Sequence, residues 1–334
     1  MNKYKTIDIF RWIMSLLVIA IHVNVFFPIN GGACERQIFE DITGIAVPFF
    51  FITSGFFFFE NRDKNNIYEY LLKLTKTYLK WTIIYLPLTI VYYINQKYSV
   101  LKAIEIFVQR FLLVGENYYS FHLWYLHALI CCVILYAIIE KGISKNLIRF
   151  MLVISYVLYI GGRVISYFYS HENLIPLFSK ISTQYMKIFI TTRNGLFVGL
   201  CFFMVGIVLS ENKHKLTLIK RRYCWIGFFS CGILNHYGLF VFLPVEVACL
   251  WVIAFNSLIE TKEDTKVIRK ASGMNYYVHM YPVTILALLN PANWGFLYAF
   301  IVASIITIAI STVYVLKKYR VRVAEGKKNE NYIF

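Results

Sequence analysis

The sequence predicts an all-α fold, a polytopic bundle of about ten transmembrane helices. Hydrophobic residues make up 59% of its 334 residues and charged residues only 16%, whereas soluble domains average about 45–50% apolar and about 25% charged residues. The apolar residues form stretches close to the roughly 20 residues that a helix needs to cross a bilayer. This composition excludes an ordinary soluble domain, a disordered chain and a fibre.

The charges between these stretches orient the bundle. Lys and Arg accumulate in the cytoplasmic loops of membrane proteins. With the N-terminus inside, most of the 34 Lys and Arg residues fall in the inner segments, so both termini are predicted to be cytoplasmic. The seventh span is short for a membrane helix. The predicted spans are residues 7–27, 42–59, 78–95, 120–140, 148–162, 195–209, 223–234, 239–258, 274–290 and 296–316.

We predict one membrane domain over residues 1–316, followed by a basic cytoplasmic tail over 317–334. The first apolar stretch is longer than the core of a signal peptide and further spans follow it, so we expect it to be retained. The net charge of +16 is typical of contact with anionic lipid head groups, and no nucleic-acid-binding motif accompanies it. The seven cysteines include no Cys-x-x-Cys pair, which favours core packing over a metal site.

The first helix carries two ionisable side chains, Arg11 and His22, and such residues within a span usually mark a pathway or a site. Eleven residues separate them, which leaves about 20° beyond three full turns and roughly 16 Å along the helix axis. Both therefore face the same way, and we favour a functional pair. In the alternative interpretation, Arg11 extends to lipid phosphates and His22 is a hydrogen-bonded core residue.

The second helix contains Pro48 and the pair Ser54-Gly55, which predicts a bent helix in close contact with a neighbour. The fourth helix opens with His122 and Trp124. The aromatic belt at a membrane interface explains the tryptophan better than it explains the histidine. Both residues are therefore candidates for contact with a substrate.

Three further segments place polar residues in or beside the spans. Arg193-Asn194 begins the sixth helix and either holds a polar or anionic group or only anchors the helix. Glu246, in the eighth helix, lies close to the depth inferred for His22. A buried carboxylate needs a partner, which is either this histidine or another polar group. Tyr277-Val-His279 lies in the ninth helix, where a packed core histidine is somewhat favoured over a catalytic one.

In their order and spacing, these segments resemble the acyltransferase-3 family of bacterial integral-membrane acyltransferases. The resemblance covers most of the chain, although no segment is specific alone. Some segments also resemble the membrane domain of vancomycin-resistance serine racemases, but no racemase activity is expected. The matching segments are Ile7-Asp8 with Arg11-x10-His22, Val47–Gly55, His122–Leu126, Arg193–Phe197 with Phe202–Gly206, and Tyr277–His279 before Pro282.

The resemblance implies an enzyme of a bacterial-type cell membrane that takes an acyl group, usually acetyl, from coenzyme A and passes it to a sugar hydroxyl on the other side. Arg11 and His22 match the family's arginine and histidine. A cytoplasmic pair of arginines in the family matches Lys73-x-x-Lys76, which keeps the positive charge but loses the bidentate phosphate geometry. Acyl-coenzyme A is a donor substrate, and no tightly bound cofactor is expected.

Acyl transfer from a thioester to a hydroxyl needs a base for the hydroxyl proton and a donor for the developing oxyanion. We expect His22 to be the base, and Arg11 with the two lysines to hold the donor phosphates. The expected partners are the bilayer, acyl-coenzyme A and a glycan or lipid-linked sugar. The alternatives are a transporter of serine or another small polar solute and a polysaccharide export subunit. Further polar candidates for acceptor binding are Glu116, Asn117, Glu172 and Asn173.

Overall fold

The computed structural model describes residues 4–62, 66–139, 145–171, 174–257, 265–289 and 294–324, and all regular structure in these ranges is helical. This confirms the predicted all-α fold class. The chain forms two compact units. The terminal unit combines Met1–Phe50 with His214–Phe334, and the central unit is Phe51–Lys213.

The helices follow one another with short connections, and brief 3-10 or π turns precede or extend several of them. The turns are Arg110–Val114 and Gly195–Gly199 (π) and Phe121–Leu123 and Phe240–Phe242 (3-10). The helices of the described ranges are α1 (Lys5–Phe26), α2 (Ala33–Gly44), α3 (Ala46–Glu60), α4 (Ile67–Asn95), α5 (Val100–Gln109), α6 (Trp124–Ile139), α7 (Lys145–Ser170), α8 (Pro176–Phe189), α9 (Leu200–Glu211), α10 (Lys213–Leu216), α11 (Arg221–His236), α12 (Leu243–Asn256), α13 (Lys266–Val278), α14 (Met280–Leu289) and α15 (Phe296–Ala324).

Each predicted span overlaps one of these helices or two consecutive ones. Within the described ranges, five helical segments are long and apolar enough to cross a membrane. The count of ten spans and the orientation of the termini therefore stay predictions. The five segments are Lys5–Phe26, Ala33–Glu60, Phe121–Ile139, Asn146–Ser170 and Phe296–Lys318.

Four helices, α2, α5, α8 and α10, lie wholly or largely between the predicted spans. A search for apolar stretches of about 20 residues passes over short or amphipathic helices. Local capping also extends helices beyond their apolar part. The Asn66 side chain accepts a hydrogen bond from Tyr68 N at 2.9 Å, so α4 begins at Ile67. At the other end of the chain, α15 continues to Ala324, past the predicted boundary at 316.

The second predicted span is interrupted at Ile45, and the bend that its sequence predicts stays a prediction. α2 ends at Gly44 and α3 begins at Ala46. Pro48 lacks an N–H group, so it cannot donate to the carbonyl of Gly44 four residues earlier. The missing hydrogen bond explains why the helix is interrupted between α2 and α3.

In the central unit, α3 and α9 touch backbone to backbone. A Cβ atom on Gly55 would lie 2.1 Å from the carbonyl oxygen of Phe203, and a Cβ atom on Gly206 would lie 2.1 Å from that of Ile52. Since real Cβ atoms do not approach a backbone so closely, both positions require glycine. The contact confirms the close helix approach predicted at Gly55.

In the terminal unit, α1 lies along α13 and α14. Thr265 Oγ1 donates to Asp8 Oδ2 at 2.7 Å, and Asn275 Nδ2 donates to Ser15 Oγ at 3.1 Å. The later residue of α1 thus contacts the later residue of the α13 segment, so the two helices run parallel. An apolar cluster completes the packing with Ile19, Val23, Phe27, Val283, Leu286, Ala299 and Ala303. These contacts fix the position of the candidate site on α1.

Candidate functional site

The buried face of α1 carries both residues that the sequence singled out. Arg11 and His22 are each only 7% exposed. Asp8 and Ser15 are buried on the same helix face, as a repeat of three or four residues requires. The polar stripe of α1 thus points into the protein and not towards surrounding lipid.

His279 lies at a break between α13 and α14. Pro282 cannot donate to the carbonyl of Val278, which separates the two helices at this histidine. His279 is fully buried, and its Nδ1 lies 3.0 Å from the carbonyl oxygen of Asn275. Because a carbonyl only accepts, Nδ1 carries the proton, and Nε2 holds the lone pair of the neutral ring.

The structure brings His279 against His22, with ring centroids 5.1 Å apart and an angle of 35° between the ring planes. Tyr277, the other candidate in this segment, is half-buried and packs on Tyr276 with centroids 5.2 Å apart. The Tyr276 ring lies 6.4 Å from that of His279. The candidate site on α1 therefore includes two imidazoles from helices far apart in sequence.

Asp8 is a member of this polar stripe to which sequence reasoning gave no role. Its side chain is fully buried, accepts from Thr265 and lies 4.0 Å from Arg269 Nη1. An aspartate in the first turn of a helix suits the helix dipole, so sequence alone gave no reason to look further. Its position one turn before Arg11 was the available signal.

Glu246 is buried in α12 at 7% exposure. Its Oε2 accepts a hydrogen bond from Asn235 Nδ2 on α11. The partner of this carboxylate is thus another polar group of the terminal unit, one of the two alternatives that the sequence left open. A role of Glu246 in orienting His22 stays a prediction.

In the central unit, Arg193 belongs to a cluster around one buried carboxylate. Glu116 Oε2 lies 3.0 Å from Arg193 Nη2, and Glu116 Oε1 lies 3.5 Å from Arg110 Nη1. The Arg193 guanidinium lies over the Trp124 ring at 5.2 Å, and the Arg110 guanidinium lies over the Tyr118 ring at 4.2 Å. Two guanidinium groups on aromatic rings thus share a single counter-ion, which leaves the cluster with a net positive charge.

Asn194 caps the turn that leads into α9. Its Oδ1 accepts from the backbone N–H groups of Leu196 and Phe197 at 3.0 Å, and its Nδ2 donates to the Tyr185 hydroxyl at 2.8 Å. Burial raises the pKa of the Tyr185 hydroxyl, which therefore keeps its proton and donates it to the carbonyl of Thr191. These contacts favour the anchoring role of Asn194 over ligand binding.

The remaining candidates of the central unit have contacts of their own. His122 is buried, with its ring 4.9 Å from that of Tyr85 in an edge-on contact. Lys73 and the exposed Lys76 lie one turn apart on α4, so both cations occupy one side of the helix. Asn117 accepts from the Tyr93 hydroxyl. The candidates Glu172 and Asn173 lie outside the described residues.

Comparison with known proteins supports the likeness suggested by these segments. The family model described as "Acyltransferase domain" matches residues 4–316. An amino-acid racemase of Enterococcus faecalis is 28% identical over 75% of this chain and 35% of its own length. A serine/alanine racemase of Enterococcus gallinarum is 26% identical over 75% of this chain and 37% of its own length.

The chain thus spans little more than a third of these curated relatives, and no solved structure matches it. The family match, by contrast, runs from the start of α1 into α15 and includes both α1 and the His279 segment. Since this match covers nearly the whole chain and the helices are those of a membrane protein, the chain belongs to the acyltransferase-3 family of membrane acyltransferases.

Proposed function

We propose that this protein transfers an acyl group, acetyl in the simplest case, from coenzyme A to a hydroxyl of a cell-surface glycan or its precursor. The observation that carries the proposal is the buried ring contact between His279 and His22, which shares its face of α1 with Arg11. The family match supports acyl transfer as the reaction class. The acetyl donor, the glycan acceptor and the base are the proposed parts.

In this mechanism, His22 removes the proton of the acceptor hydroxyl as its oxygen attacks the thioester carbonyl carbon. The carbon–sulfur bond then breaks, and the coenzyme A thiolate takes the proton from the imidazolium. His279 holds the His22 ring by packing, because its own ring is fixed by the hydrogen bond to Asn275. Arg11 supplies a permanent positive charge on the same stripe, suited to a phosphate of the donor.

The test uses protein purified in detergent and measures thiol release from acetyl-coenzyme A, with water as the slow acceptor. We expect His22→Ala to lower the rate at least about 100-fold, the lower range of what a general base contributes. His214→Ala is the matched control, because this histidine is exposed on α10 and should leave the rate unchanged. A folded His22→Ala protein with the normal rate would contradict the assignment.

A second candidate is the transport of serine or another small polar solute. One observation favours it: the curated relatives are named as amino-acid and serine/alanine racemases, and this chain matches only about a third of each. Uptake of labelled serine into proteoliposomes, without any thiol release from acetyl-coenzyme A, would favour the transporter. Thiol release without uptake would favour the enzyme.

A further inference from the structure

The terminal unit contains a cavity of about 440 Å³ beside α11 and α12. Its lining includes the aromatic residues Phe228, Phe229 and Tyr237. Its polar lining comes from His236 and Glu246. The cavity is large enough for a small organic molecule or a lipid head group, and it uses neither histidine of the proposed acyl transfer.

A carboxylate oxygen faces this cavity. The Glu246 side chain is only 7% exposed. Its Oε2 accepts a hydrogen bond from Asn235 Nδ2. Within the described ranges, Oε1 has no hydrogen-bond partner, although Glu246 lines the cavity. A Cβ atom on Gly232 would lie 3.2 Å from this oxygen, so the glycine leaves the space in front of it open. The cavity therefore presents an acceptor that needs a donor.

His236 lines the same cavity and contacts a second carboxylate. Its Nδ1 lies 2.7 Å from Asp41 Oδ2, and since the carboxylate accepts, Nδ1 carries the proton of this hydrogen bond. Gln37, one turn before Asp41 on α2, donates to the carbonyl of His236. α2 thus holds the end of α11 in place, and the C-terminal end of a helix adds partial negative charge.

The charges around the cavity are complementary to a cation. Asp41 on α2 and Glu246 on α12 are acidic, and His236 at the end of α11 is the basic group between them. Aromatic faces attract cations, most strongly organic ammonium groups. Among the residues that the structure describes, no three His, Cys, Asp or Glu side chains are arranged to hold a metal ion. An organic cation therefore fits better than an anion or a metal.

We propose that this cavity binds the ammonium group of an organic amine, with Glu246 as its counter-ion and the aromatic rings as its walls. The amine is either a soluble molecule, such as an amino sugar or an amino acid, or the ethanolamine head group of a lipid. This function stands independently of the acyl-transfer proposal.

The test measures thermal unfolding of the purified full chain in detergent with increasing ethanolammonium chloride. We expect a saturable rise in Tm that sodium chloride at equal ionic strength and uncharged ethylene glycol do not give. Glu246→Gln should raise the half-saturating concentration at least about tenfold, the loss of one charge-assisted contact. Glu40→Gln is the matched control, because it removes an exposed carboxylate of α2 outside the cavity, and it should bind as the unmodified protein does.

A second variant, Gly232→Leu, fills the cavity and keeps the carboxylate, so it should also abolish the rise in Tm. Phosphatidylethanolamine, compared with phosphatidylglycerol in the same micelles, separates the two sources. A response to free ethanolammonium identifies a soluble amine, and a response to the lipid alone identifies the head group. A response to neither, or equal binding by Glu246→Gln, would overturn the proposal.

Discussion

His22 and His279 stand 257 positions apart in the chain, yet their rings pack with centroids 5.1 Å apart. α1 supplies one ring, and the break that Pro282 imposes between α13 and α14 supplies the other. The Asn275 carbonyl fixes the second ring. We therefore propose His279 as a positioning residue for His22.

The first prediction concerns His279. His279→Phe keeps the packing volume but removes the hydrogen bond to Asn275, so we expect thiol release from acetyl-coenzyme A to fall about 100-fold, as for a misplaced catalytic group. His279→Asn, which retains an N–H donor, should recover part of the rate. The loss should appear in kcat and leave KM for acetyl-coenzyme A unchanged. Normal kcat for His279→Phe would show that the contact is packing alone.

The second prediction concerns the backbone contact between α3 and α9. Gly55→Ala and Gly206→Ala each place a methyl group against a carbonyl oxygen, so each should lower the free energy of unfolding by about 1–3 kcal/mol through overpacking. Gly161→Ala on α7 is the control, since nothing lies within 4 Å of its Cβ position. It should stabilise the helix by about 0.5–1 kcal/mol. Denaturant unfolding of the purified proteins measures all three.

The third prediction concerns Glu116. Removing its charge with Glu116→Gln leaves Arg110, which is 11% exposed, without its counter-ion. Breaking such a buried pair costs about 3–5 kcal/mol. Arg193→Ala should cost less, because this side chain is 46% exposed and solvent screens its charge.

Lys102→Ala provides the surface reference for this series. Its ion pair with Glu105 is more than half exposed on both sides, so the free energy of unfolding should change by less than about 1 kcal/mol. Equal losses for Glu116→Gln and Lys102→Ala in thermal or denaturant unfolding would refute the buried character of the Glu116 cluster.

The fourth prediction separates capping from ligand binding at Asn194. Asn194→Ala removes the acceptor for Leu196 and Phe197 and should cost about 1 kcal/mol of stability. Asn194→Asp keeps that acceptor and should restore most of the loss. If both variants unfold normally but lose activity, Asn194 contacts a substrate and is not only a cap.

Sequence reasoning reached the fold class because composition and the length of the apolar stretches determine it. It reached the shared face of Arg11 and His22 because that follows from helical periodicity. The burial of Glu246 followed from its place in an apolar helix. The contact between His22 and His279 did not follow, since it depends on how α1 packs against a helix 257 positions later. The hydrogen bond between Asn235 and Glu246 could not be predicted from the sequence either, because it depends on the turn that brings α11 and α12 together.

The missed helices have a similar explanation. α2 carries the charged residues Glu35, Arg36, Glu40 and Asp41, so a search for apolar stretches passes over it, although its Asp41 and Gln37 contact the end of α11. α5 begins at a Ser99 cap and α8 begins with Pro176, and both helices are amphipathic. A search for long apolar stretches does not detect such helices.

The paired glycines of α3 and α9 also restrict how the central unit can move. Helices in contact through their main chains cannot slide past one another without a collision between carbonyl oxygens and Cα atoms. The two helices must therefore travel together as one rigid element of the central unit. Any opening that lets a substrate through this unit has to come from the helices around that element.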